Sequence, residues 1–215
     1  MIVLDIETTG LTHDCGIWQI GAIDLDNLKN YFIEECRVDE EDTITEEALK
    51  VCGKTREEVL DFSKQSQEQM IKNYFTWLSK KRNRMIAGAN VSFDNGMIGA
   101  KAIKYGLNKD FSFLNGHRGY DIQTFAQEKY FEVYGKYFLK ESGVNGMSLD
   151  AVMKFCGIPS ERIKINKESQ IEKEGKPHDA LEDCKLESEC FWRLKYGKNL
   201  FLEFSKFETP DYLKK

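Results

Sequence analysis

Ile2-Val3-Leu4-Asp5-Ile6-Glu7-Thr8-Thr9-Gly10-Leu11 is the stretch that decides how the remaining residues are read. Ile2, Val3 and Leu4 have the character of a buried strand, which continues through Asp5, Ile6 and Glu7 and stops at Thr8-Thr9-Gly10. Side chains alternate faces along a strand, so Asp5 and Glu7 point the same way. Two neighbouring carboxylates repel each other unless a cation lies between them. Mg²⁺ is commonly held by one or two protein carboxylates together with phosphate oxygens. The strand end is therefore a candidate metal platform for phosphate chemistry. Alone, the pattern equally fits a strand end that reaches water.

The bulk properties narrow the class. With 215 residues, the chain can form one sizeable core and at most two small domains. At 41% hydrophobic and 31% charged residues it has the composition of an ordinary globular protein. Its formal net charge of -5 and pI of about 5.4 argue against a strong sequence-blind nucleic-acid binder, which shows a basic face. Six cysteines without a C-x-x-C pair and three histidines give no zinc-finger spacing. Reduced thiols and a cytoplasmic location are the expectation. No signal peptide and no membrane span are expected, because no apolar run approaches about 18 residues.

Gly16 to Asp24 and Leu28 to Arg37 read as a hairpin around Asp26-Asn27, with Asp24 and Asp26 as solvated turn residues. Asp39-Glu40-Glu41-Asp42 reads as an exposed charged loop. Thr45 opens a short helix, and Thr55 to Glu58 fits a capping box. Gln65 to Lys81 carries Met70, Ile71, Tyr74, Phe75, Trp77 and Leu78 at helical spacing. Met85 to Ala89 reads as a buried strand, and Phe93 to Leu107 as a helix. Gly119 to Phe125 reads as a strand entering a helix. Ser148 to Cys156 is a short helix, 159–177 a charged loop, and Asp179 to Leu194 the last helix. The order implies one α/β domain on a mixed sheet over 1–195, with the tail 196–215 packed on it.

Two further places carry carboxylates. Asp94, in Asn90-Val91-Ser92-Phe93-Asp94, falls in the first turn of a helix, where the positive helix end favours a carboxylate for electrostatic reasons alone. In His178-Asp179-Ala180-Leu181-Glu182-Asp183, a regular helix would set His178 and Asp183 about 140° apart. They converge only if His178 precedes the helix. Asp179 as N-cap, with Glu182 three residues on, allows that. Alone, His178 reads more readily as a solvent-exposed loop histidine than as a site residue.

Together these residues resemble the DEDDh family of 3′→5′ exonucleases, which includes the DNA polymerase III epsilon proofreading subunit and RNase T. The motifs occur in order as D-I-E-T-T-G-L at Asp5 to Leu11, N-x-x-F-D at Asn90 to Asp94, and H-x-A-L-x-D at His178 to Asp183. Ile44 to Thr55 and Ser148 to Ala151 are similar to two further family stretches. The sister group has tyrosine four residues before the last Asp, where this chain has Asp179. Ala89 and Cys52 stand where relatives often have His, and Cys184 where Ala is usual.

The resemblance implies an RNase H-like α/β fold with a five-stranded mixed sheet and helices on both faces. It also implies two divalent ions, Mg²⁺ or Mn²⁺. Asp5 would bridge both, Glu7 and Asp183 would complete one, and Asp94 would help hold the other. His178 would take the proton from the attacking water. Thr8, Thr9, Gly10, Leu11 and Asn90 are the candidate contacts to a nucleic-acid 3′ end, while Phe93 is expected in the core. The implied reaction releases nucleoside 5′-monophosphates; the net acidic charge favours short or single-stranded substrates, single-stranded DNA among them, over long duplex. A polymerase or another replication or repair protein is the candidate partner. RNA or short oligonucleotides as substrates, and a non-catalytic end-binding module, are the competing readings. The 159–177 loop is expected to be mobile and to bring His178 into place.

Overall fold

The computed structural model describes residues 1–165 and 170–214. Its main sheet has five strands in the order β3-β2-β1-β4-β5. β1 (Ile2–Thr8), β2 (Ile17–Asp24) and β3 (Tyr31–Glu35) form an antiparallel meander. β4 (Ile86–Gly88) pairs parallel with β1, and β5 (Gly119–Asp121) pairs parallel with β4. β1 is thus central, which explains why its residues are almost continuously apolar up to Asp5.

Both faces of the sheet are covered. Ile2, Leu4 and Ile6 share a core with α3 (Gln67–Ser79) and α4 (Val91–Lys104). Met70, Ile71, Tyr74 and Leu78 of α3 are fully buried, each such side chain contributing about 1.5–3 kcal/mol through lost apolar surface. On the other face Val3 packs with α6 (Ile122–Tyr134), α7 (Leu149–Phe155) and α8 (Ala180–Tyr196). By alternation Asp5 and Glu7 belong to this second face. The expected RNase H-like sandwich is the fold observed.

The helices begin where side-chain chemistry favours it. Thr45 caps α1 (Glu46–Cys52), and Thr55 with Glu58 completes a reciprocal capping box on α2 (Arg56–Val59). Asp179 Oδ1 accepts from Leu181 N and Glu182 N at the head of α8. Glu182 instead pairs with Lys185 at 2.5 Å, outside the expected box. α5 (Asn108–Asp110) and one π-helical turn (Phe111–Asn115) lead into β5.

Three local expectations are corrected. Asp42 is buried rather than exposed, and its carboxylate meets Lys101 Nζ at 2.6 Å and Gln67 Nε2 at 2.8 Å. Asp24 is a buried strand-end residue; only Asp26 is solvated. The 159–177 segment contains β6 (Lys164–Ile165) and β7 (Ile171–Lys173), an antiparallel pair. Such pairing joins backbone groups and needs no apolar side chains. Residues 166–169 lie outside the described residues, and so does the mobility expected of them.

The tail is tied to α8 by a buried ion pair. Arg193 Nε donates to Glu189 Oε1 at 2.8 Å, and Arg193 Nη2 donates to the carbonyls of Phe204 and Phe207. Glu189 Oε2 accepts from the amides of Leu200 and Phe201. Tyr212 stacks on Phe155 with ring centroids 5.2 Å apart.

Candidate active site

β2 determines where α8 starts. In the sheet register Asp5 pairs with Gly21 and Glu7 with Gln19. A Cβ on Gly21 would lie 2.5 Å from the carbonyl carbon of Ala180. The first turn of α8 can rest on the sheet because residue 21 carries no side chain. Gln19 then fastens it: Nε2 donates to Asp179 Oδ2 at 2.9 Å, and Oε1 accepts from Ala180 N at 2.8 Å. This clamp holds Asp183, one turn further on, above Asp5 and Glu7.

Asp94 arrives from the other side. After β4 the chain turns at Asn90, whose φ of 61° is the left-handed conformation that Asn tolerates better than most residues. α4 follows at once, and Asp94 Oδ1 accepts from Ile6 N at 3.1 Å. The carboxylate thereby takes a strand N–H that β4 ends too early to satisfy.

His178 lies just outside α8, as its spacing from Asp183 requires. Its N–H donates to Val51 O at 3.1 Å, which ties it to α1. Nδ1 stands 3.8 Å from Asp183 Oδ2. Ligand atoms of Glu7, His178 and Asp183 all lie within 4.8 Å of one another.

Electrostatics mark this cluster as short of positive charge. Burial, reinforced by Asp183, Glu187, Asp94 and Glu7, pushes Asp5 well above the usual carboxylate range. Burial and then Asp183 push Glu7 up to about 8. Burial raises Asp94 to about 7 against the pull of two backbone N–H groups. Asp183 is raised to about 6 by burial, with Arg162 restraining the rise. Glu187, buried one turn beyond Asp183, is also raised, by burial first and then by Asp94 and Asp183. Glu187 Oε2 has no hydrogen-bond partner. Crowded oxygen donors with an unsatisfied buried oxygen are a donor set that suits hard divalent cations.

Two residues here escaped the sequence reading. Glu187 had a local signal, since it lies four residues after Asp183 on the same helix face. Arg162 had none: it comes from the base of the β6–β7 hairpin. Its Nη2 donates to Asp183 Oδ2 at 2.5 Å and meets His178 Nδ1 at 2.7 Å. Burial first, then this guanidinium, hold His178 down to about 4.

The site opens into a cleft of about 580 Å³, whose walls include Glu7, Thr8, Gly10, Leu11, Phe93 and His178. Leu11 is 84% exposed at its mouth. Phe93 is half-buried, packing on the core while lining the cleft. Thr9 is turned inward; its hydroxyl donates to Thr43 O at 2.6 Å and accepts from Gly16 N at 2.8 Å. Asn90 lines a different cleft, beside Asn95, His117 and Asp121. Cys52 donates from Sγ to Glu7 Oε2 at 3.2 Å, and its raised pKa keeps it a neutral thiol.

A mixed five-stranded sheet with carboxylates from β1, α4 and α8 beside a histidine defines a nuclease of the RNase H-like exonuclease class. The chain belongs to the DEDD-type 3′→5′ exonuclease family: the RNase T exonuclease family model matches residues 2–191. Members are hydrolases of phosphodiester bonds and generally use divalent metals. Among solved structures, E. coli exonuclease I in complex with a dT13 oligonucleotide aligns with a TM-score of 0.64 at 16% identity, covering 89% of this chain and 40% of that chain. The zinc-bound E. coli ExoI–ssDNA complex aligns at 0.63 and 15%, covering 92% and 41%. Cell-death related nuclease 4 (CRN-4) aligns at 0.60 and 15%, covering 90% and 62%. At these identities the likeness is one of fold. This chain spans about two fifths of the length of the exonuclease I chains. Sequence comparison with curated proteins finds no match. Among the described residues no helix is long and apolar enough to cross a membrane.

Proposed function

We propose that the chain is a metal-dependent 3′→5′ exonuclease that removes nucleoside 5′-monophosphates from the 3′ end of nucleic acid, with single-stranded DNA favoured. The observation that carries this reading is the convergence of Glu7, Asp183 and His178 within 4.8 Å at the head of a cleft. Asp5, Glu7, Asp94 and Asp183 would hold two divalent cations, Mg²⁺ or Mn²⁺. Bound there, the ions supply Lewis acidity and neutralise developing phosphate charge.

The chain's own residues do the rest. His178, held down to about 4, is neutral at working pH, and its Nδ1 would accept the proton of the attacking water once the Arg162 contact on it opens. Thr8 and Gly10 shape the wall beside Glu7, and Leu11 offers an apolar face to the terminal base. Thr9 supports that wall from behind. Asn90, in its neighbouring cleft, would meet the strand further from its end.

The cleft volume falls within the range of small-ligand sites and suits a terminal nucleotide. A net charge of -5 gives little broad grip on duplex. The neighbouring exonuclease I structures hold dT13 and single-stranded DNA. A polymerase or another replication or repair protein would supply the hold that this surface lacks. In this reading residues 1–195 form the catalytic domain, with 196–215 packed on it. Six buried free cysteines fit a reducing, cytoplasmic setting.

The test is a Mg²⁺/Mn²⁺ nuclease assay on single-stranded DNA, duplex DNA, RNA and dinucleotides, with Asp5→Ala as control. Single-stranded DNA is expected to be degraded fastest and the control to be inactive. Faster cleavage of RNA or dinucleotides would reassign the substrate, and activity retained in Asp5→Ala would sink the proposed site.

A further inference from the structure

The carboxylate cluster already has a positive charge on it, and that charge comes from a residue no motif includes. Among the described residues, Arg162 is the cation in hydrogen-bond contact with the cluster, through Asp183 Oδ2 at 2.5 Å. The same Nη2 lies 2.7 Å from His178 Nδ1. The guanidinium thus covers both the carboxylate expected to hold a metal and the ring expected to take a proton. It is largely enclosed, with 17% of its side chain exposed.

The contact is incomplete as a resting place. Arg162 Nε is buried without a partner. Nη1 is 3.9 Å from Asp150 Oδ1, too far for a hydrogen bond. A purely structural buried arginine is satisfied on all sides, and Arg193 shows what that looks like here: its Nε, Nη1 and Nη2 all donate. Arg162 makes both of its close side-chain contacts through Nη2 and leaves Nε without a partner. Its backbone sits at the foot of the β6–β7 hairpin, where Ile163 N and Lys176 N bond across to Lys176 O and Glu161 O. The side chain also borders a second cleft, which Asp183 lines together with Lys176, Glu182, Lys206 and Phe207.

We infer that Arg162 is an exchangeable counter-ion: it neutralises Asp183 in the metal-free protein, yields that oxygen to a divalent cation, and then binds a phosphate of the incoming strand. The inference builds on the proposed exonuclease reading. A guanidinium bonded at 2.5 Å to the oxygen that would bind a divalent cation brings two like charges into one low-dielectric corner, so the two occupancies compete. A guanidinium stays charged at any working pH, so once displaced it needs another anion. Phosphate oxygens arrive with the substrate and match the planar donor fork that Arg162 presents. Departure of Arg162 also uncovers His178 Nδ1.

Direct Mn²⁺ binding tests this without catalysis. Mn²⁺ titrations, followed by electron paramagnetic resonance, would compare the wild type with Arg162→Gln and Arg162→Lys in the absence of nucleic acid. With its competitor gone, Arg162→Gln is expected to bind Mn²⁺ about tenfold more tightly, and Arg162→Lys to fall between. A phosphorothioate single-stranded oligonucleotide added at saturating Mn²⁺ should then bind Arg162→Gln about tenfold more weakly. The slope of its log affinity against log salt should also fall by about 0.7, as expected for one lost phosphate contact. Mn²⁺ affinity equal to or below wild type in a folded Arg162→Gln protein would overturn the exchange, and unchanged oligonucleotide affinity would overturn the phosphate contact. A wild type that binds no Mn²⁺ would instead overturn the metal-dependent reading beneath it. Circular dichroism melts establish folding, and Arg162→Met serves if Arg162→Gln is unstable.

Discussion

His178 and Asp183 face each other across 3.8 Å because the histidine stays off the helix that carries the aspartate. That arrangement was legible in the sequence, since Asp179 is a strong N-cap and five residues on one helix would have pointed the two side chains apart. His178→Ala is expected to lower turnover about 10²–10⁴-fold while Mn²⁺ binding persists, checked by single-turnover kinetics beside a metal titration. Metal binding lost in that variant would make His178 a ligand rather than a base. Two other placements, one at the site and one away from it, were not legible. Arg162 lies 21 positions before Asp183, and only the hairpin fold-back brings it there. Asp42 looked like part of a solvated charge run, because its partner Lys101 is 59 residues away. In both cases the deciding contact is long-range, and local composition does not report it.

Among the elements, α8 carries the most consequence. Its start is set by Gly21, which leaves room for the Ala180 backbone, and by Gln19, which bonds both Asp179 and Ala180. Gly21→Ala is expected to lift the first turn of α8. Overpacking there should cost about 1–3 kcal/mol in denaturant unfolding. Displacement of His178 and Asp183 should cost about 10²-fold in turnover. Turnover unchanged in a folded Gly21→Ala protein would show that the close approach does not position the site. Helix starts at Thr45, Thr55, Ser148 and Asp179 could be read from sequence, because each cap bonds backbone groups within three residues. The β6–β7 pair could not, because strands only two and three residues long have too few positions to show alternation.

Over the whole molecule, the carboxylate cluster makes stability depend on pH and metal. Glu7 is raised to about 8 and Asp94 to about 7, so the folded state binds more protons than the unfolded chain up to those values. Stability of the metal-free protein therefore falls as pH rises from 6.5 to 8. His178, held down to about 4, acts in the opposite sense, but only between pH 4 and 6.5, below that window. The melting temperature without metal should drop by roughly 3 °C or more between pH 6.5 and 8, and millimolar Mg²⁺ should restore it. A flat profile that is indifferent to Mg²⁺ would show that the cluster is not the cation site.

The central claim is that this cluster removes nucleotides one at a time from a 3′ end. It is tested most directly by following a 5′-labelled single-stranded oligonucleotide through time with Mg²⁺ or Mn²⁺. The account predicts a ladder that shortens from the 3′ end with release of nucleoside 5′-monophosphates, and no ladder for Asp5→Ala. Cleavage confined to internal positions, or shortening from the 5′ end, would contradict it.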